Sequence, residues 1–253
     1  MENSKIILRK NERIDDLEYK GLKIIQNEEG FCYGMDSVLL SDFAKSIKKD
    51  SKVLDLGTGT GILGILLYGK TQLKKIIGVE IQEEVAQMAQ RSIYLNELEN
   101  RFEILSKNIK DIPKILDKNT FDVVVTNPPY NEKNSGIINE NKKKLISRHE
   151  IEADLSDFIR ISAEMLKDKG KLYMVYRPER LIDMLEELRK YKLEPKRLRL
   201  VEPQKGKKAN LILVEAVKGA KPFLKMEPTL IVYKGNGNYT QEILKIYHKE
   251  EKE

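Results

Sequence analysis

Short apolar runs of strand length alternate along this chain with segments of helical period, the pattern of a sheet whose crossovers are helices. Residues 52–56 read as a buried strand entering a glycine-rich turn, 62–68 as the helix that follows, and 76–80 as a second strand. Over 82–97, Val85, Met88, Ala89, Ser92, Ile93 and Asn96 fall at i, i+3, i+4, i+7, i+8 and i+11, so one helical face is apolar or small. Glu83 and Glu84 sit in its first turn, where the helix dipole favours anions. Strands follow at 102–105 and 121–126, and the Val-Val-Val centre of the latter suits a strand covered on both faces. Leu155, Phe158, Ile159, Ser162, Ala163 and Leu166 repeat the helical spacing behind Asp154, a fitting N-cap. A strand at 171–176, a helix opened by Pro178 and a closing hairpin of strands at 198–201 and 211–217 complete the pattern. Ahead of it, residues 1–47 carry an expected strand at 22–25 and helix at 37–47, and form an N-terminal extension packed on one unit of 48–253. The polar, Asn- and Lys-rich stretch 131–150 is long enough for a substrate loop.

Composition narrows the class. The 253 residues are 40% apolar and 34% charged, which excludes disorder and collagen-like repeats. A chain of this size holds one large core without crosslinks. Cys32 has no partner within the chain and only 2 His are present, so no metal site is expected and a reducing cytoplasm fits. The longest helical apolar stretch, 62–68, is far short of the roughly 20 residues that cross a bilayer, and the first residues form no secretory leader. No membrane association is expected, and nothing calls for an obligate protein partner. The net charge of +6 is unevenly placed: from Lys192 to Lys225, ten basic residues stand against three acids, a candidate polyanion surface.

Asp55-Leu56-Gly57-Thr58-Gly59-Thr60-Gly61 puts glycines where a strand turns sharply into a helix and where backbone must approach a ligand closely. A nucleoside-bearing cofactor is expected across this turn. Gly59 to Gly64 also satisfies the G-x-G-x-x-G dinucleotide pattern, with Glu80 following Gly61 by 19 residues. Asp55 separates the two readings: a carboxylate two residues before the first glycine repels a pyrophosphate at the helix N-terminus but favours the cationic methionine end of S-adenosylmethionine. Glu80 can then accept from the ribose hydroxyls, and the amide oxygen of Asn108 from the adenine amino group. Ile81 beside Glu80, Ile109 beside Asn108, and Tyr33 with Gly34 complete the expected cofactor wall, together with Gly57, Thr58, Gly59, Gly61 and Asn127.

Asn127-Pro128-Pro129-Tyr130 ends the strand at 121–126, on the sheet edge where ligands of open α/β folds sit. It resembles the Asp/Asn-Pro-Pro-Tyr/Phe/Trp signature of methyltransferases that act on a nitrogen conjugated to a π system. Such a nitrogen is a poor nucleophile because its lone pair is delocalised. The Asn127 side-chain oxygen and the Pro128 carbonyl offer acceptors for both N–H bonds, which turns the lone pair toward the methyl donor. Consecutive prolines restrict the backbone, so the acceptors are preorganised. Tyr130 offers an aromatic face for an extruded base.

Beyond these motifs, the chain resembles the bacterial tRNA1(Val) adenine N6-methyltransferase family. Phe31-Cys32-Tyr33-Gly34-Met35-Asp36-Ser37-Val38-Leu39-Leu40 is similar to that family's Phe-x-x-Gly-x-Asp-x-x-Leu-Leu, and Arg148-His149-Glu150 to its Arg-His-Glu. At the other end, Lys218-Gly219-Ala220-Lys221-Pro222, Pro228-Thr229-Leu230-Ile231-Val232-Tyr233, Tyr239-Thr240 and Ile246-Tyr247 resemble its C-terminal run. The resemblance implies a Rossmann-like class I fold, seven mostly parallel strands with the last antiparallel and helices on both faces. It also implies methyl transfer from S-adenosylmethionine to N6 of the adenine 3′ of the anticodon in tRNA. Asn108 departs from the aspartate of many relatives. Lys205, Lys207 and Lys208, near Arg197 and Arg199, are candidate phosphate contacts, and Arg148 and His149 candidate substrate contacts. Three alternatives stay open: methylation of a release-factor glutamine, a nicotinamide-dependent oxidoreductase, and a silent RNA-binding module.

Overall fold

The computed structural model describes residues 7–30, 32–130 and 153–249. The candidate loop at 131–150, with Arg148 and His149, lies outside the described residues, as does Phe31. The chain starts with a hairpin of β1 (Glu12–Asp16) and β2 (Lys23–Asn27), then α1 (Met35–Phe43). Next come β3 (Lys52–Leu56), α2 (Ile62–Thr71), β4 (Lys75–Glu80), α3 (Glu83–Leu95), β5 (Phe102–Ser106), the single turn α4 (Ile112–Ile115) and β6 (Phe121–Thr126). After the gap follow α5 (Leu155–Met165), β7 (Leu166–Tyr176), α6 (Leu181–Lys190), β8 (Leu193–Gln204), β9 (Leu211–Lys218), β10 (Lys225–Met226), β11 (Leu230–Tyr233) and α7 (Gln241–Ile246).

The central sheet runs β8-β9-β7-β6-β3-β4-β5. Its pairs are parallel except those of β9, which enters antiparallel between β7 and β8, so the seven-strand core matches the expectation. The sheet is nevertheless nine-stranded. β10 and β11 add themselves in succession to the outer edge of the long strand β8, where the sequence suggested only 198–201. Alternation along the strands divides the core by face. Val53, Val123, Val125, Tyr173 and Val175 pack against α1, α2 and α7. Leu54, Leu56, Val124, Leu172 and Met174 pack against α5 and α6.

The N-terminal stretch shares the first of these clusters through Ile24, Val38, Leu39 and Leu40. Its hairpin is pinned to α3 largely by polar contacts. Arg91 binds Glu12 with two bonds of 2.5 and 2.6 Å, the Ser92 hydroxyl accepts from the Ile25 N–H at 3.0 Å, and Asn96 bonds both backbone groups of Lys23. That explains why β1, with its sequence Glu-Arg-Ile-Asp-Asp, carried no apolar signal. α1 starts two residues earlier and ends four earlier than the expected 37–47.

Glu215 clamps the antiparallel insertion. It is 4% exposed, and its two oxygens meet Lys171 of β7 at 2.8 Å and Arg197 of β8 at 2.6 Å. Removing Glu215 leaves Lys171 without its carboxylate and Arg197 with Glu227 alone, so Glu215→Ala is expected to lower the unfolding free energy by about 2 kcal/mol, measured by urea denaturation.

Candidate active site

The parallel pairing of β3 with β6 sets Leu56 opposite Thr126, and the Thr126 hydroxyl donates to the Leu56 carbonyl at 2.8 Å. The glycine turn that follows Leu56 and the Asn-Pro-Pro-Tyr that follows Thr126 therefore leave the same edge side by side. Gly57, Gly59 and Gly61 all have positive φ, at 72°, 56° and 86°. This is the region that L side chains rarely enter, and it lets the chain reverse within one turn into α2. The N–H groups of Gly57 and Thr58 both donate to the Val79 carbonyl, which ties the turn to β4. A side chain at Gly59 would meet nothing within 4 Å, so the turn faces open space at its middle glycine.

Two carboxylates back this turn. Glu80, buried at the end of β4, accepts from the Gly59 N–H at 3.1 Å with one oxygen and from the Gln82 N–H at 2.9 Å with the other. Asp55 is 1% exposed and takes the Thr58 hydroxyl at 2.6 Å. It shapes the turn from behind and acts on the crevice through its field. Burial, reinforced by the charge of Glu80, pushes the Asp55 carboxyl up to about 7, against the pull of the Thr58 and Gly64 hydrogen bonds. No cation among the described residues neutralises the pair at hydrogen-bonding distance. In its ionised form Asp55 gives this crevice a field that favours a cationic ligand and opposes a pyrophosphate, and a bound cation would in turn draw the carboxyl back toward that form.

Directly after β6, Asn127 is half-buried, Pro128 buried and Pro129 exposed. The Asn127 amide nitrogen donates to Asp36 Oδ2 at 2.9 Å, and its oxygen accepts from the Tyr130 hydroxyl at 2.8 Å. Burial and the nearby Asp36 charge raise the Tyr130 hydroxyl far above its ordinary range, so it remains a donor. One face of the Tyr130 ring is covered: the Arg177 guanidinium carbon lies 4.5 Å from its centroid, and Tyr176 meets it edge-on at 5.7 Å. Sequence reasoning missed Arg177, whose position directly after β7 on the ligand-bearing edge was the available signal. It also assigned no role to Asp36.

Other expected site residues are placed differently. The Asn108 oxygen caps a short turn by accepting from the Lys110 N–H at 2.9 Å, so one of its two lone pairs is already engaged. Ile109 is buried in the core beneath the sheet, and Ile81 is half-buried beside Glu80. Tyr33 lines a cavity with Tyr19, Val38, Leu66 and Tyr247. Arg197 is engaged by Glu215 and Glu227 and stacks on Phe43, and Arg199 is held by the Pro228 carbonyl and Glu242. Both arginines, expected to face phosphates, instead knit β8 to its neighbours. Lys205 and Lys207 remain exposed in the β8–β9 loop, and Lys208 has only an exposed ion pair with Glu179.

A family model described as the methyltransferase small domain matches residues 34–192. This chain belongs to that family. Its match begins at Gly34, so the methyltransferase small domain takes in α1 as well as the strands of the candidate site. A curated relative, the tRNA1(Val) (adenine(37)-N6)-methyltransferase of Porphyromonas gingivalis, is 27% identical over 240 residues, covering 92% of this chain and 93% of its own. The enzyme of the same name from Trichodesmium erythraeum is 27% identical over 232 residues, covering 91% and 95%. Among solved structures, a predicted O-methyltransferase from Agrobacterium tumefaciens superposes with a TM-score of 0.67 at 22% identity, over 85% of this chain and 96% of its own. The M. jannaschii TYW2 structure, solved with AdoMet, gives 0.56 at 17% identity over 83% and 87%. The fold is thus that of the Rossmann-like methyltransferases.

Because the Asp55 carboxyl lies near 7 in the folded chain and near its ordinary 3.8 when unfolded, its contribution to stability is full below about pH 4 and lost as the pH rises through about 7. Asp55→Asn removes that loss. In urea titrations of the ligand-free protein the variant is expected to match the wild type near pH 4 and to exceed it at pH 8, by at most about 4 kcal/mol.

Proposed function

We propose that this chain transfers the methyl group of S-adenosylmethionine to N6 of the adenine 3′ of the anticodon in a tRNA; its curated relatives carry the name tRNA1(Val) (adenine(37)-N6)-methyltransferase. The observation that carries this function is the register of β3 with β6, which sets the glycine turn beside Asn127. The turn at Gly59 and the Glu80 carboxylate would hold S-adenosylmethionine, Glu80 through the ribose hydroxyls, and Asp55 would favour its cationic methionine end. The adenine amino group is held by the Asn127 side-chain oxygen and the Pro128 carbonyl. S-Adenosylmethionine would supply a methyl on a sulfonium leaving group, which would depart as a neutral thioether, and Asn127 and Pro128 would aim the nitrogen lone pair at that methyl. The proton that the methylated nitrogen sheds goes to water. Catalysis is positioning and preorganised acceptors, with reacting atoms held about 3–3.5 Å apart. The enzyme works in the cytoplasm, where tRNA is found. The rival readings draw less support: the relatives are named for tRNA, and the paired carboxylates disfavour a dinucleotide.

Label from radioactive S-adenosylmethionine is expected in N6-methyladenine of total tRNA, and absent from duplex DNA and release factor; label in protein overturns the proposal. Asn127→Ala is expected to lower turnover by about 10²–10³ with little change in cofactor affinity. Replacing Lys205, Lys207 and Lys208 together by Ala should reduce the salt slope of tRNA binding by about 2, at roughly 0.7–0.9 per phosphate contact. An unchanged slope would put the RNA on another face.

A further inference from the structure

Asp36 stands in the first turn of α1, 91 residues from Asn127 in sequence and 2.9 Å from its amide nitrogen. Both of its oxygens are engaged. Oδ1 accepts from the Ser37 backbone N–H at 2.9 Å, which fixes the carboxylate on its own helix. Oδ2 accepts from the Asn127 amide and lies 3.2 Å from the Tyr130 hydroxyl. A Cβ at Gly34 would fall 2.8 Å from Oδ1, so the absent side chain there leaves room for this rotamer. The glycine and the aspartate of the Gly-x-Asp sequence thus have one physical purpose.

An asparagine amide has two orientations that exchange its oxygen and nitrogen, and only one presents an acceptor to a substrate amine. A carboxylate accepts and never donates, so it pairs only with the nitrogen end. We propose that Asp36 is a positioning residue for methyl transfer, selecting the Asn127 orientation that turns Oδ1 toward the substrate amine while the Tyr130 hydroxyl holds the amine's place. This deepens the function proposed above and rests on its assignment of Asn127. When the amine N–H replaces the Tyr130 O–H on Oδ1, Tyr130 keeps a partner in Asp36 Oδ2. The exchange leaves no buried hydroxyl unpaired, which would otherwise oppose substrate binding.

The test compares the wild type with Asp36→Ala, Asp36→Asn, Asn127→Ala and the Asp36→Ala/Asn127→Ala pair, each checked for a cooperative thermal transition. With tRNA as acceptor, Asp36→Ala is expected to lower kcat by about 10–100-fold, the scale of a mispositioned group, with S-adenosylmethionine affinity within about 2-fold. Asp36→Asn, which can still accept through its own oxygen, should recover part of the rate. The double variant should be no slower than Asn127→Ala alone, because Asp36 acts through Asn127. Independently of any substrate, the Asn127 side-chain amide resonances in a 15N spectrum should shift in Asp36→Ala, with Asp36→Asn read in the same way if the alanine variant does not fold. Unmoved amide resonances, a wild-type kcat in a folded Asp36 variant, or rate losses that multiply in the double variant would overturn the inference. A wild-type enzyme that labels no tRNA would overturn the function above, and the amide spectrum would still decide the role of Asp36.

Discussion

The candidate site depends on one pairing, β3 with β6 in parallel with Leu56 opposite Thr126. Neither motif makes a site by itself. The glycine turn needs a wall for its ligand, and Asn-Pro-Pro-Tyr needs a methyl donor at the distance of a bond about to form. Parallel register supplies both, because the strands stop at the same level and the chains leaving them share one crevice. The Thr126 hydroxyl on the Leu56 carbonyl adds a side-chain bond at the last rung of the ladder. The hydrophobic alternation behind it, Val53 and Val125 on one face and Leu54, Leu56 and Val124 on the other, makes a one-residue slip costly by turning every side chain to the wrong side.

Around that edge the protein concentrates negative charge. Asp55 and Glu80 sit behind the turn and Asp36 beside the Asn127 amide. A crevice of this sign would be a poor place for phosphates, whereas the exposed Lys205, Lys207 and Lys208 lie in the β8–β9 loop, which meets this edge where Arg177 donates to the Asn210 carbonyl at 3.2 Å. Such a division suits a bisubstrate enzyme whose cofactor carries positive charge and whose polymeric substrate carries negative charge.

The N-terminal segment is joined to this chemistry, although it precedes the sheet. Its helix α1 packs into the same core as α2 and delivers Asp36, while its hairpin is pinned to α3 through Arg91, Ser92 and Asn96. Arg197 adds a third link by stacking on Phe43 of α1 while pairing with Glu215 in the sheet. A carboxylate that must hold one amide in one orientation requires a helix that cannot drift, and these contacts provide that anchorage.

The order of elements, the glycine turn, the acidic end of β4 and the Asn-Pro-Pro-Tyr were all legible in the sequence, because periodicity and local backbone chemistry act over a few residues. The polar hairpin strand β1 and the added strands β10 and β11 were not, since β1 is anchored by Arg91 of α3 and β10 and β11 by β8, partners distant in sequence. The same holds within the site. That Asn127 and Tyr130 should act together follows from three residues of spacing, but their joint dependence on Asp36 exists only once α1 is laid against the sheet. Likewise, Arg197 and Arg199 read as free cations along the chain, and only packing gave them Glu215, Glu227 and Glu242 as partners. Short-range sequence determined which groups could do chemistry; tertiary structure decided which were left free to do it, because a charge or a hydrogen bond is assigned by whatever lies within about 3 Å, wherever in the chain it comes from.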